Sequence, residues 1–143
     1  MPEPSNISHT TQIRVRYADT DKMQIVYNGK YFEYFEVGRT ELLRSLGLPY
    51  AELERTGVRL PVIEAHARYK SGATYDEVLE IECWLELPYA AKITLHYRVR
   101  RQGDSAVCAE GYTVHAFQDT TTLKPVRPPK AFTTIIDRAL TAR

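Results

Sequence analysis

The sequence holds only two cysteines, Cys83 and Cys108, among 143 residues. That excludes a disulfide scaffold, and two cysteines alone do not make a structural zinc site. Both stand in apolar, strand-like stretches, where cysteine serves as a small core residue. Excess charge is missing as well: 19 lysines and arginines face 18 aspartates and glutamates, a formal net charge of +1. No strong field therefore favours nucleic acid or an anionic membrane. No apolar run approaches transmembrane length, so no membrane span is expected. The opening MPEPSNISHTTQ lacks a basic stretch followed by an apolar one; no signal peptide is expected and the cytoplasm is the default compartment. Repeats of solenoid period and low-complexity segments are absent. What is present, 43% hydrophobic and 26% charged residues, suits one globular domain. One figure is unusual: ten tyrosines stand against four phenylalanines and one tryptophan. Tyrosine suits surfaces apolar on one side and wet on the other, such as clefts and interfaces.

Residues 1–10 are polar with two prolines and read as a flexible lead-in; residues 11–143 read as a single domain. In TQIRVRYA, residues 11–18, Ile13, Val15 and Tyr17 alternate with Arg14 and Arg16, which predicts a strand with one buried face. The period then changes. Phe32, Phe35, Arg39, Leu42, Leu43 and Leu46 recur at helical spacing over residues 29–46, with Asn28 as a candidate N-cap, Gly47 at C′ and Pro49 beyond. Residues 50–56 suit one further turn. From residue 58 the period of two returns in VRLPVIEAHARYK, VLEIECWLELP, AKITLHYRVRRQ and SAVCAEGYTVHAFQD, the last with Gly111 as a bulge or a close approach. The final AFTTIIDRALTAR suits a short helix. One long helix followed by a run of strands predicts an α+β fold, an antiparallel sheet of about five or six strands with the helix stripe buried across it. Trp84 and Val78 fall on the opposite sheet face and suggest a partner sheet or subunit.

The densest chemistry lies in Asp19-Thr20-Asp21-Lys22-Met23-Gln24-Ile25-Val26-Tyr27-Asn28, two carboxylates just ahead of the long helix. A helix start offers unpaired N–H groups and partial positive charge, able to hold an oxygen that becomes negative during acyl transfer. A carboxylate beside it attacks a carbonyl or activates water. The same spacing also arises from turn chemistry and capping alone, and on spacing alone that plainer reading has the edge. A calcium loop is disfavoured, since no glycine or twelfth-position glutamate follows in register.

The stretch RYADTDKMQIVYNGKYFEYFEVGRTELLRSLG resembles the signature of the hotdog-fold thioesterases of the 4-hydroxybenzoyl-CoA thioesterase family. ATYDEVLEIECWLE and EGYTVHAFQDTTTLKPVRPP are similar to its later blocks, so the resemblance runs from about Thr11 to Pro129. It implies a long central helix wrapped by an antiparallel sheet, and subunits paired through their sheets into dimers and often tetramers. It implies hydrolysis of acyl-CoA, with Asp21 as nucleophile or general base and the backbone N–H groups of Tyr27, Asn28 and Gly29 as the carbonyl-polarising site. Asp19 matches an acidic position that is not the catalytic one. No cofactor is implied, coenzyme A being part of the substrate. Two departures stand out: Gln24 replaces the usual glycine, and Asn28 stands where many relatives carry histidine or tyrosine.

Glu36 and Arg39 interrupt the helix stripe at three-residue spacing. They form either an ion pair at its edge or, with Glu36, a second polar group in an interface cleft. His66 and His96 share faces with charged residues and read as solvated; His115 reads as buried. With no ligand spacing among them, no metal is expected. Lys92, Arg98, Arg100 and Arg101 suit a solvated strand face, or a rim for coenzyme A phosphates. Three functions compete: an acyl-CoA thioesterase, a thioesterase acting on acyl carrier protein, and a non-catalytic acyl-CoA-binding protein of the same fold. Asp21 separates the first two from the third.

Overall fold

The computed structural model describes residues 2–142; Met1 and Arg143, the outermost residues of the lead-in and of the domain as read from the sequence, lie outside the described residues. Strand β1 (Ser8–Arg14) leads through a short 3-10 turn (Tyr17–Asp19) and a loop into helix α1 (Lys30–Ser45). Helix α2 (Tyr50–Arg55), strands β2 (Val58–Arg59), β3 (Val62–Tyr69), β4 (Val78–Leu85), β5 (Lys92–Arg101), β6 (Val107–Asp119) and β7 (Pro125–Val126), and helix α3 (Lys130–Thr141) follow. All strands join one antiparallel sheet: five long strands and two of two residues each. The architecture is the α+β one expected, with α1 across one face.

Three features of the strands and the helix stripe differ from the expectations. The strand takes in Ser8–Thr10, which the sequence reading leaves to the lead-in, because Ile7 is buried and the Ser5 hydroxyl donates to the Leu85 carbonyl at 2.6 Å. The strands after residue 58 are not all consecutive hairpins. β4, β5 and β6 are neighbours in order, but β1 occupies the free side of β4, so β3 crosses to the far edge beside β6. The helix stripe is rotated: Tyr31, Tyr34, Phe35, Gly38, Leu42 and Leu43 are buried, whereas Phe32 is 37% exposed. With aromatics at 31, 32, 34 and 35 two phases fit, and Gly38 decides between them. A Cβ there would lie 2.9 Å from the Ile81 side chain, so the absent side chain lets α1 close onto β4. Phe35 then stacks on Tyr97 of β5 with ring centroids 4.3 Å apart.

The helix ends confirm one cap and move the other. Gly47, at φ +89°, is the left-handed C′ residue, and the Leu48 N–H reaches back to the Leu43 carbonyl. At the start, Gly29 holds the cap position and the Asn28 side chain makes no capping bond.

The outer sheet face is more closed than expected. Trp84 is fully buried, with the His96 ring stacked at 5.5 Å and the Arg98 guanidinium 4.9 Å from its centre. His96, expected to be solvated, is 5% exposed and bonds Glu86 through Nε2 at 2.8 Å. The large indole explains both, since its neighbours gain by covering it. Most of the exposed large apolar residues lie elsewhere, on edge strand β3 (Val62, Ile63, Tyr69) and around the loop before α1 (Tyr17, Met23, Tyr27, Tyr75), with Phe32 and Val37 on α1 and Leu123 and Leu140 nearer the C-terminus.

Candidate active site

The loop between the 3-10 turn and α1 is held at both ends. At its root, Asp19 is buried and accepts four donors or near-donors. The Arg16 N–H (3.1 Å) and the Tyr34 hydroxyl (2.9 Å) reach Oδ2; the Arg16 guanidinium (3.1 Å) and Lys30 Nζ (3.9 Å) reach Oδ1. The sequence reading gives Asp19 a turn role. Its carboxylate does more, tying the loop to the first turns of α1. At the far side Val26 donates to the Ala73 carbonyl at 2.8 Å, and Gly72 lies so close to Ile25 that a Cβ would sit 2.7 Å from it. Asp21 to Ile25 close on themselves through Asp21 N–H to Ile25 O (3.0 Å) and Gln24 N–H to Asp21 O (2.9 Å).

Asp21 crowns this turn, half-buried, with Oδ1 accepting the Met23 N–H at 2.9 Å. It separates two cavities. One, of about 390 Å³, is lined by Asp21, Ile25, Asn28, Tyr31, Tyr69 and Gly72 among others. The second, of about 510 Å³, opens toward Gln24 and the edge-to-face pair Tyr17 and Tyr75. Of the three backbone N–H groups expected to polarise a carbonyl, that of Tyr27 is spent on the Asp19 carbonyl at 2.8 Å. Those of Asn28 and Gly29 meet no acceptor among the described residues. Tyr27 instead lays its ring against Gly29, where a Cβ would lie 2.8 Å from it. Asn28 lines the first cavity and Gln24 only the second, so Gln24 narrows the approach from that side.

Gln24 has φ +66°, in the left-handed region. That is the physical reason for a glycine at this position, since only glycine adopts it without a Cβ clash. Gln24→Gly is expected to raise stability by about 0.5–1 kcal/mol, read as a higher denaturant midpoint at unchanged slope.

Burial by itself would raise the pKa of Asp19. The Arg16 N–H, the Tyr34 hydroxyl and the Arg16 guanidinium outweigh it and hold the carboxyl below its ordinary value. The unfolded chain therefore binds the proton more readily. Asp19 stabilises the fold fully above the ordinary carboxylate range near pH 4, and that contribution is lost as pH falls through the lowered value. Asp19→Asn is expected to cost about 1.5–3 kcal/mol at neutral pH, the range for hydrogen bonds to a charged group, and to flatten the acid limb below about pH 4. Thermal midpoints of parent and variant across pH check this. His115 acts in a separate, higher window, from its ordinary 6.5 down to about 4, and is common to both proteins.

The remaining candidates are placed as follows. Glu36 is exposed on α1 and lines a third cavity with Arg39, and no ion pair joins the two, although Lys30–Glu33 and Arg44–Glu41 pair at the same spacing. Arg98 and Arg100 both reach Glu82, at 3.5 and 3.1 Å, and Arg101 reaches Glu77 at 3.0 Å. The three arginines are tied into ion pairs rather than left as an open rim, and Lys92 stands exposed without one among the described residues. Arg101 also donates to the Gly72 carbonyl and to Ser71 Oγ, so it braces the segment lining the first cavity. The sequence reading passes over Tyr31, Tyr69 and Gly72 as site residues. A Ser-Gly pair between two strands is a turn signal, and nothing local says that it closes a cavity.

A family model of the thioesterase-like superfamily matches residues 15–136. YneP of Bacillus subtilis strain 168, provisionally named an acyl-CoA thioesterase, is 35% identical over 122 residues, 85% of this chain and 87% of that one. The acyl-CoA thioesterase YbgC of Haemophilus influenzae is 30% identical over 119 residues, 82% of this chain and 86% of that one. Among solved structures, a DHNA-CoA thioesterase from Staphylococcus aureus superposes with a TM-score of 0.84 at 28% identity, covering 94% of this chain and 89% of that one. The chain belongs to the thioesterase-like superfamily and is a thioester hydrolase built on the hotdog fold.

Proposed function

We propose that the protein hydrolyses acyl-CoA thioesters, with Asp21 as nucleophile or general base and the Asn28 and Gly29 N–H groups as the oxyanion site. One observation carries the reading: Asp21 and Asn28 line the same cavity, at a helix start where two N–H groups are left unspent. The acyl-CoA names of YneP and YbgC support the substrate class. In the general-base route, the Asp21 carboxylate takes a proton from water as the water oxygen attacks the thioester carbonyl. The carbonyl oxygen gains the negative charge and is held by the N–H groups and the partial positive charge of α1. Collapse breaks the carbon–sulfur bond, and the thiolate leaves and takes up the proton. In the nucleophilic route, Asp21 attacks the carbonyl and the carbon–sulfur bond breaks to release the thiolate; water then opens the mixed anhydride to the free acid and regenerates the carboxylate.

The active unit of this reading is a dimer joined along β3. That strand is paired to β6 alone, and its outer edge carries exposed Val62, Ile63 and Tyr69, the kind of edge that invites a second strand. Trp84, read from the sequence as a sign of a partner sheet or subunit, is buried within the chain and takes no part in this contact. Sedimentation equilibrium is expected to give twice the chain mass of 16.4 kDa, and Ile63→Lys to shift the protein toward monomer. A chain that stays at its single mass at micromolar concentration would count against the dimer.

The test of function is release of free thiol from a panel of acyl-CoA thioesters, beside the same acyl groups on acyl carrier protein. Turnover of the coenzyme A series supports the reading. Turnover confined to the carrier-protein series, or binding without turnover, overturns it.

A further inference from the structure

Arg39 lies on α1 about 14 Å along the axis from the first helical residue, and it is half-buried. Each of the other two cations of the helix has an acid within 3.2 Å: Lys30 pairs with Glu33 and Arg44 with Glu41. Among the described residues no carboxylate comes within 4.0 Å of Arg39. Its charge acts instead on three groups of the core, Cys83, Tyr97 and His115. None of them neutralises it. Burial keeps the Cys83 thiol and the Tyr97 phenol protonated, and burial together with Arg39 holds His115 neutral. The bonding direction agrees. His115 Nδ1 donates to the Leu60 carbonyl (3.2 Å), so Nε2 accepts from the Thr113 hydroxyl (2.8 Å), which accepts from the Tyr97 hydroxyl (2.6 Å). A partly buried guanidinium without a counter-ion is costly, and a ligand anion would relieve the cost.

The space for such an anion is present. Arg39, Thr40, Leu43, Tyr50 and Leu60 line a cavity of about 330 Å³. Glu36 also borders it, but stands exposed, where water and salt screen its charge. The first cavity touches Tyr31 and Tyr69, and this one touches Leu43 and Leu60, so α1 and the β2–β3 edge run in opposite senses with one cavity at each end. A two-fold pairing of β3 edges reverses the partner's groove. In the dimer proposed above, that reversal brings the partner's Arg39 end beside the Asp21 end of the first protomer.

Resting on the thioesterase reading and the β3-edge dimer proposed above, we infer that Arg39, contributed by the partner copy, binds the far end of the acyl group and selects acyl-CoA thioesters whose acyl chain ends in a carboxylate. Arg39 is a specificity residue and takes no part in the bond changes.

The experiment compares matched thioesters of equal carbon count, succinyl-, glutaryl- and adipyl-CoA against butanoyl-, pentanoyl- and hexanoyl-CoA. The parent is expected to favour the carboxylated member at least tenfold in kcat/KM at one chain length or more. Arg39→Met is expected to lose at least tenfold more on that member than on its alkyl match, chiefly through KM, and Arg39→Lys to recover part of the preference. Thermal midpoints confirm that the variants are folded. Mixing Asp21→Asn with Arg39→Met chains tests the shared groove. Half of the dimers are then mixed, each with one intact site, so about a quarter of the parent's activity on the carboxylated substrate returns. A parent without preference, an Arg39→Met variant whose ratio stays within twofold of the parent's, or mixing without gain overturns the inference. Hydrolysis of the alkyl thioesters by the parent upholds the thioesterase reading in any of these cases.

Discussion

Asp21→Asn is expected to lower the turnover number by a factor of about a hundred or more while leaving the fold intact. The substitution keeps the shape and keeps an oxygen to accept the Met23 N–H, so the turn that carries the residue survives. What it removes is the carboxylate to which the proposed mechanism gives the attack on the thioester or the proton transfer from water. Loss of a principal acid–base or nucleophilic group has effects of this order. The contrast with Asp19 is the sharper part of the expectation. Asp19 is buried among Arg16, Tyr34 and Lys30 and does not line either cavity beside Asp21. Its asparagine variant should therefore lose stability first, and lose turnover only as far as the loop loosens. Steady-state kinetics and thermal midpoints on both variants separate the two roles. If Asp21→Asn keeps most of the parent's turnover, the carboxylate is not the catalyst, and Glu36 is the next to test.

Gly111→Ala is expected to destabilise the protein by about 2–3 kcal/mol, one of the largest costs for adding a single methyl group anywhere in the chain. A Cβ at residue 111 would lie 2.2 Å from the His66 carbonyl oxygen and 2.8 Å from the Phe35 ring. The first contact is backbone, so no rotamer change relieves it; β3 and β6 must part or the ladder must shift. The second pushes Phe35 off Tyr97, the stack at the centre of the helix–sheet interface. Gly47→Ala is the control. Nothing lies within 4 Å of its Cβ, and only the positive φ opposes it, so about 1 kcal/mol is expected. Denaturant midpoints of the two variants give the comparison.

These two residues mark how much the sequence carries by itself. Gly111, inside an alternating strand, announces a close approach, and Asp-x-Asp ahead of an aromatic helix marks a candidate site through the family it resembles. The alternation of the long strands, the length of α1 and the left-handed Gly47 are local properties, written in periods of two and 3.6 and in one missing side chain. Period and composition therefore determined the α+β class and the long helix with its C-terminus, while Asp21 was singled out only by the resemblance.

Tertiary structure decided the rest, for one physical reason: which of several locally equivalent choices is buried depends on residues distant in the chain. Tyr31 and Phe32 are alike as sequence, and Gly38 facing Ile81 settles which one turns inward. Trp84 reads as an exposed interface residue until Arg98 and His96 fold over it. Tyr27, Asn28 and Gly29 offer three equal N–H groups until the Asp19 carbonyl takes the first. Glu36 and Arg39 have ideal spacing for an ion pair and form none; the charge of Arg39 bears instead on Tyr97 and His115, on strands more than fifty residues further along the chain. Local spacing sets which contacts are possible, and the burial that chooses among them is a property of the whole chain.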